Sequence, residues 1–276
     1  MFNCLAIYRE LTNSPNRETD DALILEAVAQ ELKKLGAKVK LLRPEKLEKI
    51  NPSDWDVIVP MCENLPAVKT IQPWQKHSMF INTIDAVCNC YRINMTPLMQ
   101  SCNGIHPKTE IRYTKDLLEK PPKFFHSKGV WIKRGDVHNT CNKDVIFIND
   151  WKECEKVKKD FHKREIQTVC IQEHINGDLI KFYGVGPLKW FDWFYHNPDT
   201  AKKYKFDEDK LELSSAIVAK KVGLEVYGGD AIIASTGKIY IIDINSWPSF
   251  AKVRDEIKYP IAKHIFDKAT DNITAK

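Results

Sequence analysis

Two carboxylates and an amide near the end of the chain have the types and spacing to hold a cation. Asp230 follows two glycines, and Asp243 and Asn245 come after a turn at residues 235–237. A hairpin made by that turn would bring Asp230 near Asp243, and the two-residue spacing puts Asp243 and Asn245 on one side of a strand. Mg²⁺ prefers such oxygen ligands, and two like charges inside a sheet are costly without a cation. We predict a metal site of these three residues; the alternative is a hairpin whose aspartates face water.

Two earlier strand ends carry residues suited to a nucleotide. Lys133 ends an apolar run, and a lysine held by strand packing can contact a phosphate as a point charge. Residues 172–175, with the sequence Gln-Glu-His-Ile, follow a second apolar run. Such a segment can offer backbone donors and acceptors to the edge of an adenine ring. Taken singly, a solvated lysine and an ordinary strand end explain the same patterns.

The first third of the chain alternates strands and helices. Residues 2–8, 38–42 and 55–60 read as strands, and residues 22–32 have apolar positions at helical spacing. Two strand–helix–strand units of this kind before residue 85 predict a small parallel sheet covered by helices. The polar loop 11–17 would lie at the carboxyl end of the first strand, where open parallel sheets bind ligands.

The rest of the chain is predicted to be richer in strands. A short helix at residues 94–99 leads through a turn into a strand near residue 110. Further strands are expected at 129–133, 144–148, 168–172, 179–185, 230–234 and 238–244, with helices at 151–163 and 213–222.

Length and composition limit the class of protein. The length of 276 residues corresponds to about two folding units. The hydrophobic fraction of 43% is typical of a globular protein. Apolar runs such as residues 239–242 are far shorter than the roughly 20 residues that span a bilayer. The first residues carry no basic segment typical of a signal peptide. We expect a soluble, cytoplasmic monomer or homodimer without a membrane partner.

Charge and cysteine content point away from two further classes. The net charge of 42 − 37 = +5 is modest and mixed in sign, which argues against a nucleic-acid partner and suits a small anionic substrate or simply a lysine-rich surface. The eight cysteines include no CxxC pair, so we expect reduced, structural thiols.

Taken together, these segments resemble the ATP-grasp superfamily. Lys133, the segment 172–175, Asp230 and the element Asp243-x-Asn245-x-x-Pro248 occur in its order. The resemblance reaches to about residue 266 and implies an α/β fold with a pre-ATP-grasp domain at 1–92 and ATP-grasp subdomains at 93–175 and 176–276 that sandwich ATP. It implies that ATP and Mg²⁺ are cofactors. The residues it assigns to ATP are Arg92, Lys133, Gln172, Glu173 and Ile175.

Within the superfamily, the chain is most similar to the inositol-tris/tetrakisphosphate kinases. Arg92 matches an arginine that this family places on ATP phosphates, and His138 and Lys181 match a histidine and a lysine near the transferred phosphate. Asp243 begins the metal motif, as in the kinases, where most ligases have glutamate. The resemblance thus implies Lys133, His138 and Lys181 as catalytic residues. Arg254, which follows the metal strand, is added as a candidate, with a surface ion pair as the alternative.

The sequence also departs from the kinase pattern. The loop 136–142 contains no glycine, and loop 13–17 contains no lysine. The aromatic run 190–195 is either core packing or the wall of a pocket that selects a less charged substrate. Ser249 stands near the place of a family glycine.

Two reaction classes follow from these features. The first is a kinase that phosphorylates a hydroxyl of an inositol phosphate or similar polyol. The second is a carboxylate–amine ligase, like RimK or D-alanine–D-alanine ligase, that acts through an acyl phosphate. A nucleotide-binding module without turnover is a third class, against which the complete metal set argues. The residues expected around the acceptor are Arg17, Lys181, Lys189, Lys252 and Arg254.

Overall fold

The computed structural model describes residues 1–11, 18–102, 104–125, 128–136 and 141–274. Two predicted site residues, Arg17 and His138, lie outside these ranges. Within them no helix is long and apolar enough to cross a membrane.

The N-terminal unit is the predicted parallel sheet with helices over it. Its four strands run in the order β2-β1-β3-β4, and all three strand pairs are parallel. The strands β1 and β3 are buried along nearly their whole length, as expected for a sheet covered on both faces. The elements are β1 (Asn3–Ile7), α1 (Glu18–Lys34), β2 (Lys38–Leu42), β3 (Val57–Pro60), α2 (Leu65–Ile71) and β4 (Met79–Phe80).

Two short helices, α3 (Ile84–Asn89) and α4 (Arg92–Gln100), lead to a second, antiparallel sheet of order β5-β8-β6-β7. Helix α5 (Cys154–Lys163) buries Val157 and Phe161 against it, at the four-residue spacing of one helix face. A capping box between Asp150 and Glu153 begins the turn that enters α5. The strands are β5 (Thr109–Tyr113), β6 (Val130–Arg134), β7 (Val145–Ile148) and β8 (Thr168–Glu173).

A third sheet, also antiparallel, has the order β10-β9-β11-β12. Helix α7 (Glu208–Val222) packs on it; Asp207 caps its first turn and Gly223, at φ +94°, ends it in the left-handed region. The strands are β9 (Gly177–Val185), β10 (Trp190–Tyr195), β11 (Val226–Ala234) and β12 (Ile239–Ser246), with a single distorted turn, α6 (Gly186–Lys189), between β9 and β10.

The last helix, α8 (Arg254–Thr274), was missed in the sequence analysis. Its buried residues Ile257, Ile261 and Ile265 recur every fourth position and join Leu25 and Val28 of α1 in one hydrophobic cluster. The C-terminal helix therefore closes the chain back onto the N-terminal unit.

The hairpin of β11 and β12 contains a β-bulge at the predicted metal strand. Asp230 pairs with Asp243 but Ala231 pairs with Ile241, so Ile242 is an extra residue. Ile239, Ile241 and Ile244 are buried, whereas Ile242 and Asp243 are both partly exposed. Strict alternation from the buried Ile241 would have sent Asp243 into the core. The bulge turns Asp243 out of the core.

Candidate functional site

A row of side chains crosses the third sheet. Phe194, Lys181, Asp230 and Asp243 are successive register partners on β10, β9, β11 and β12. Asn245 lies two residues beyond Asp243, on the same face of β12. The structure thus brings the predicted metal set together, with Lys181 beside it.

Each of the two carboxylates is ion-paired with a cation. The Lys181 Nζ lies 2.8 Å from Asp230 Oδ1, and an Arg92 guanidinium nitrogen lies 3.1 Å from Asp243 Oδ2. Arg92 is the first residue of α4, is 5% exposed and also donates to the carbonyl oxygen of Arg134. The opposed aspartates are therefore neutralised by side chains from β9 and α4.

Asn245 supplies a test of whether these residues fit a metal ion. Its Oδ1 is buried and has no hydrogen-bond partner. A buried acceptor without a donor is costly, and a cation held also by Asp230 and Asp243 would satisfy it. In the part of the chain that the structure describes there is no cluster of three or more His, Cys, Asp or Glu side chains able to hold a metal. The donor set is thus two carboxylates and one amide, which fits Mg²⁺.

Lys133 is a buried cation at the end of β6. It is 6% exposed, and its Nζ donates to Gln172 Oε1 at 2.7 Å. Among the described residues no carboxylate lies within 4.0 Å of this ammonium group. Burial, and then the nearby Arg92 charge, lower the pKa of Lys133 to about 8. A desolvated ammonium group with no carboxylate in direct contact is suited to an anionic ligand.

A mainly apolar cavity of about 360 Å³ lies beside Lys133, between the second and third sheets. Trp131 forms part of its wall and donates from Nε1 to Nδ1 of His174 at 3.0 Å. The cavity brings together the predicted residues Lys133, Gln172, Glu173 and Ile175 with Trp131, Val145, His174, Asn176, Gly177, Leu179, Ile232 and Ile242. This shape and polarity suit a flat, largely apolar ring whose edge meets the strand end.

A second cavity, of about 370 Å³, begins at Asp230 and Asn245. Phe194 forms one wall, and the Lys252 Nζ lies 4.2 Å from the centre of its ring. The remaining lining is Lys181, Tyr183, His196, Gly228, Gly229, Pro248, Ser249 and Ala251. Asp230 lines this cavity, and Ile232 of the same strand and Ile242 beside Asp243 line the first, so the two opposed aspartates lie between neighbouring cavities.

The aromatic run in β10 contributes to both the core and the second cavity. Phe194 lines the cavity, while Phe191, Trp193 and Tyr195 pack against the hydrophobic cluster under α7. Alternate side chains of a strand face opposite sides, so the two interpretations of this run each hold for part of it.

The loop after β12 is held in an unusual conformation. Trp247 (φ 44°) and Phe250 (φ 50°) lie in the left-handed region and are fully buried. Each such residue costs on the order of 1–2 kcal/mol, which the packing of both rings offsets. Arg9 donates to the Trp247 carbonyl oxygen, and Trp247 Nε1 donates to the Ile81 carbonyl oxygen at 3.2 Å. The loop thereby fixes the two residues between the rings, Pro248 and Ser249, on the wall of the second cavity.

His106 is a buried site residue that the sequence analysis did not identify. Its Nδ1 lies 2.9 Å from the Ile241 carbonyl oxygen, and its Nε2 lies 3.1 Å from Thr109 Oγ1 and 3.4 Å from Gln172 Nε2. Its partners lie up to 135 positions away, so no local pattern marks it. From the sequence, His106 is predicted only to be part of the turn that leads into the strand near residue 110.

Several predicted acceptor residues lie elsewhere. A guanidinium nitrogen of Arg254 is 2.7 Å from Asp20 Oδ1 at the start of α1, so this arginine forms an ion pair, as in the alternative interpretation given above. Arg254 and the exposed Lys189 line neither cavity. Lys181 and Lys252 are the members of the predicted acceptor group that the described structure brings to the site.

No protein-family model and no curated protein sequence matches the chain. Solved structures do match it over nearly its full length. A RimK domain ATP-grasp protein from Sphaerobacter thermophilus has a TM-score of 0.71 at 12% identity, covering 96% of this chain and 99% of its own. The D-alanine–D-alanine ligase of Coxiella burnetii has a TM-score of 0.74 at 10% identity, covering 100% and 98%. D-cycloserine synthetase DcsG has a TM-score of 0.70 at 11% identity, covering 96% and 99%.

These similarities confirm the predicted fold and do not support the order of the two predicted reaction classes. The three structures are a RimK domain protein, a ligase and a synthetase. They therefore do not support the prediction that the chain is most similar to the inositol phosphate kinases. At 10–12% identity the likeness concerns the fold. This chain has the ATP-grasp fold.

Proposed function

We propose that this protein is an ATP-dependent carboxylate–amine ligase that uses Mg²⁺ and acts through an acyl phosphate. This is the reaction class kept above as the alternative to the kinase. The observation that carries the proposal is the second cavity, which starts at Asp230 and Asn245 and has aromatic walls with few cations. The solved structures of similar fold, among them a ligase and a synthetase, support it.

The nucleotide is proposed to lie across the junction of the two cavities. Its adenine would enter the first cavity, where the main chain of Glu173 and Ile175 meets the ring edge. Lys133 and Arg92 would contact the phosphates, and the burial of both side chains supports this, because buried cations bind phosphate without competing water. Gln172 would hold the Lys133 ammonium from the side away from the phosphate.

The metal is proposed to be held by Asp230, Asp243 and Asn245. When bound, it would neutralise phosphate charge and make the γ-phosphorus more electrophilic. Two ion pairs would then be exchanged: Asp230 would release Lys181, and Asp243 would release Arg92. Both cations would become available to phosphate oxygens within the same site, so the net charge around them changes little.

The proposed reaction has two steps. A carboxylate oxygen of the first substrate attacks the γ-phosphorus, the bond to the β-phosphate oxygen breaks, and ADP leaves. The amine of the second substrate then attacks the acyl carbon, the carbon–oxygen bond to phosphate breaks, and inorganic phosphate leaves with one former carboxylate oxygen. The amine loses a proton as the amide forms. Positioning and charge stabilisation are sufficient for both steps, so no protein nucleophile is needed.

The charge of the second cavity favours a substrate with one or few negative groups. Lys181 is already paired with Asp230, which leaves Lys252 as the described lysine of this cavity outside an ion pair. A ligand with several phosphates would need more cations than this. A small carboxylate that pairs with Lys252 and packs on Phe194 suits the cavity better.

The kinase stays as the second candidate because Arg92, the residue most like its family, contacts Asp243. ADP release with Mg-ATP would be measured against a pool of amino acids and small carboxylates with amines, and against a pool of inositol phosphates. Asp243→Ala serves as the blank and Asp267→Ala, an exposed acid on α8, as the matched control. Turnover with the first pool supports the ligase. Turnover with inositol phosphates alone would overturn it in favour of the kinase.

A further inference from the structure

His106 joins the two halves of the candidate site. It lies in the segment between α4 and β5, is 9% exposed and contacts residues of the second and third sheets. On the side of the third sheet, the Ile241 main chain is bonded twice by this segment: its N–H donates to the Ile105 carbonyl oxygen at 2.8 Å, and its carbonyl oxygen faces His106 Nδ1 at 2.9 Å. Ile241 is the last paired residue before the bulge that turns Asp243 outward.

The partners of His106 assign its protons. A carbonyl oxygen only accepts, so Nδ1 carries the hydrogen and donates to Ile241. On the other side, Lys133 donates to Gln172 Oε1, so the Gln172 amide turns its NH₂ group toward His106 Nε2. Nε2 therefore accepts, and the imidazole is neutral. Burial lowers the pKa of His106 to about 4, which agrees with a neutral ring.

These bonds form one directed chain. Each donor points from Lys133 through Gln172 and His106 to the Ile241 carbonyl oxygen. If Nε2 could not accept, the Gln172 NH₂ group would keep only one of its two acceptors, Thr109 Oγ1 at 3.4 Å, and the amide would be less firmly held against turning this group toward the lysine. A turned amide would place two donors, the Lys133 ammonium and the Gln172 NH₂ group, against each other in a buried place, which is unfavourable.

We propose that His106 is a positioning residue that sets the Gln172 amide, and through it the Lys133 ammonium, relative to the strand that carries Asp243 and Asn245. It acts by accepting at Nε2 while donating at Nδ1. The inference rests on the proposed function, because the group to be positioned is the lysine assigned there to ATP.

A matched pair of substitutions tests this role. His106→Gln keeps a donor and an acceptor. Methionine has nearly the same length and shape as glutamine, so His106→Met is its matched partner and keeps neither. The dissociation constant of Mg-ATP would be measured by titration calorimetry, without an acceptor, for both variants and for the surface control His162→Phe on α5. Thermal melting checks folding. We expect His106→Met to weaken binding about tenfold, and His106→Gln and His162→Phe to stay within about threefold of the wild type.

A double-substitution cycle separates positioning from simple packing. If His106 acts through Gln172, adding His106→Met to Gln172→Met weakens ATP binding no further than Gln172→Met alone. Should His106→Met fail to fold, Thr109→Val removes the hydroxyl that lies beside Nε2 and accepts from Gln172, and is expected to weaken binding in the same direction by a few-fold.

Two results would overturn the role of His106. One is equal ATP binding by the Met and Gln variants, and the other is full additivity in the cycle. A wild-type protein that binds no ATP would instead contradict the proposed function, so the two failures are distinguishable.

Discussion

Asp230 and Asp243 lie directly opposite each other on β11 and β12, and their carboxylates are held by cations from two different elements. Lys181 reaches Asp230 from the neighbouring strand β9, and Arg92 reaches Asp243 from the start of α4. The charges of these two carboxylates and two cations cancel. A metal ion that binds alone must displace Lys181 and Arg92 from the aspartates, and a phosphate that binds alone must displace the aspartates from these cations. When both bind, the metal can take the aspartates and the phosphate can take the cations.

Metal and nucleotide are therefore expected to bind cooperatively. The dissociation constant of ATP should fall at least roughly tenfold when Mg²⁺ is added. In Asp243→Ala, Arg92 loses the carboxylate with which phosphate would compete, so ATP without metal should bind no more weakly than in the wild type. The effect of Mg²⁺ should largely disappear in that variant. Calorimetry with and without Mg²⁺ measures both quantities, and an undiminished metal effect would contradict the assigned ligands.

ATP binding should weaken as the pH rises past the pKa of Lys133. In the empty protein this pKa is about 8, and the charged groups that face the lysine are Arg92, Asp243 and Asp230. A bound phosphate favours the charged ammonium, so it raises the pKa and binding takes up a proton above pH 8. Affinity should be flat below about pH 8 and fall above it. Lys133→Met should bind weakly and without this pH dependence, and a flat wild-type profile to pH 9.5 would contradict the assignment.

Lys252 and Lys189 form a matched pair for the acceptor. Lys252 lines the second cavity over Phe194, whereas Lys189 is exposed and lines neither cavity. Lys252→Ala should raise the KM of the carboxylate substrate roughly tenfold and leave the KM of ATP unchanged, because an ion pair to a substrate is worth about 1–3 kcal/mol. Lys189→Ala should change neither. Steady-state kinetics with each substrate varied measures both KM values. If Lys252→Ala changed the KM of ATP alone, the lysine would be assigned to the nucleotide and not to the acceptor.

Gly229 lets β11 and β12 approach closely beside the proposed metal ligands. A Cβ at this position would lie 2.3 Å from the Asp243 carbonyl oxygen and 2.5 Å from the Phe182 ring. Gly229→Ala should therefore destabilise the protein by about 1–3 kcal/mol and displace the strand that carries Asp243. Urea unfolding gives the first quantity, and the loss of the Mg²⁺ effect on ATP binding gives the second. A variant as stable as the wild type, with its metal effect intact, would show that the backbone approach is unimportant.

The convergence of Asp230, Asp243 and Asn245 was predictable because it needs only a turn and the two-residue period of a strand. The bulge at Ile242 was not, since nothing in the local residue types requires an extra residue there. Helix α8 could have been found from the spacing of Ile257, Ile261 and Ile265.

Other features depend on contacts between distant parts of the chain. Arg254 was assigned to the acceptor because it follows the metal strand, but its partner Asp20 comes from the other end of the sequence. His106 likewise owes its role to Ile241 and Gln172, which the fold alone brings to it. Strand periodicity predicts which residues share a face and says little about which elements meet.

The transfer of oxygen from the acid to phosphate tests the central proposal most directly. The carboxylate that supports ADP release would be supplied with ¹⁸O in its carboxyl group, together with the amine and Mg-ATP. The released inorganic phosphate would then be analysed by mass spectrometry. An acyl phosphate predicts one ¹⁸O atom in each phosphate released, because the carbon–oxygen bond breaks in the second step. Unlabelled phosphate, or a stable phosphorylated product in place of an amide, would contradict the account.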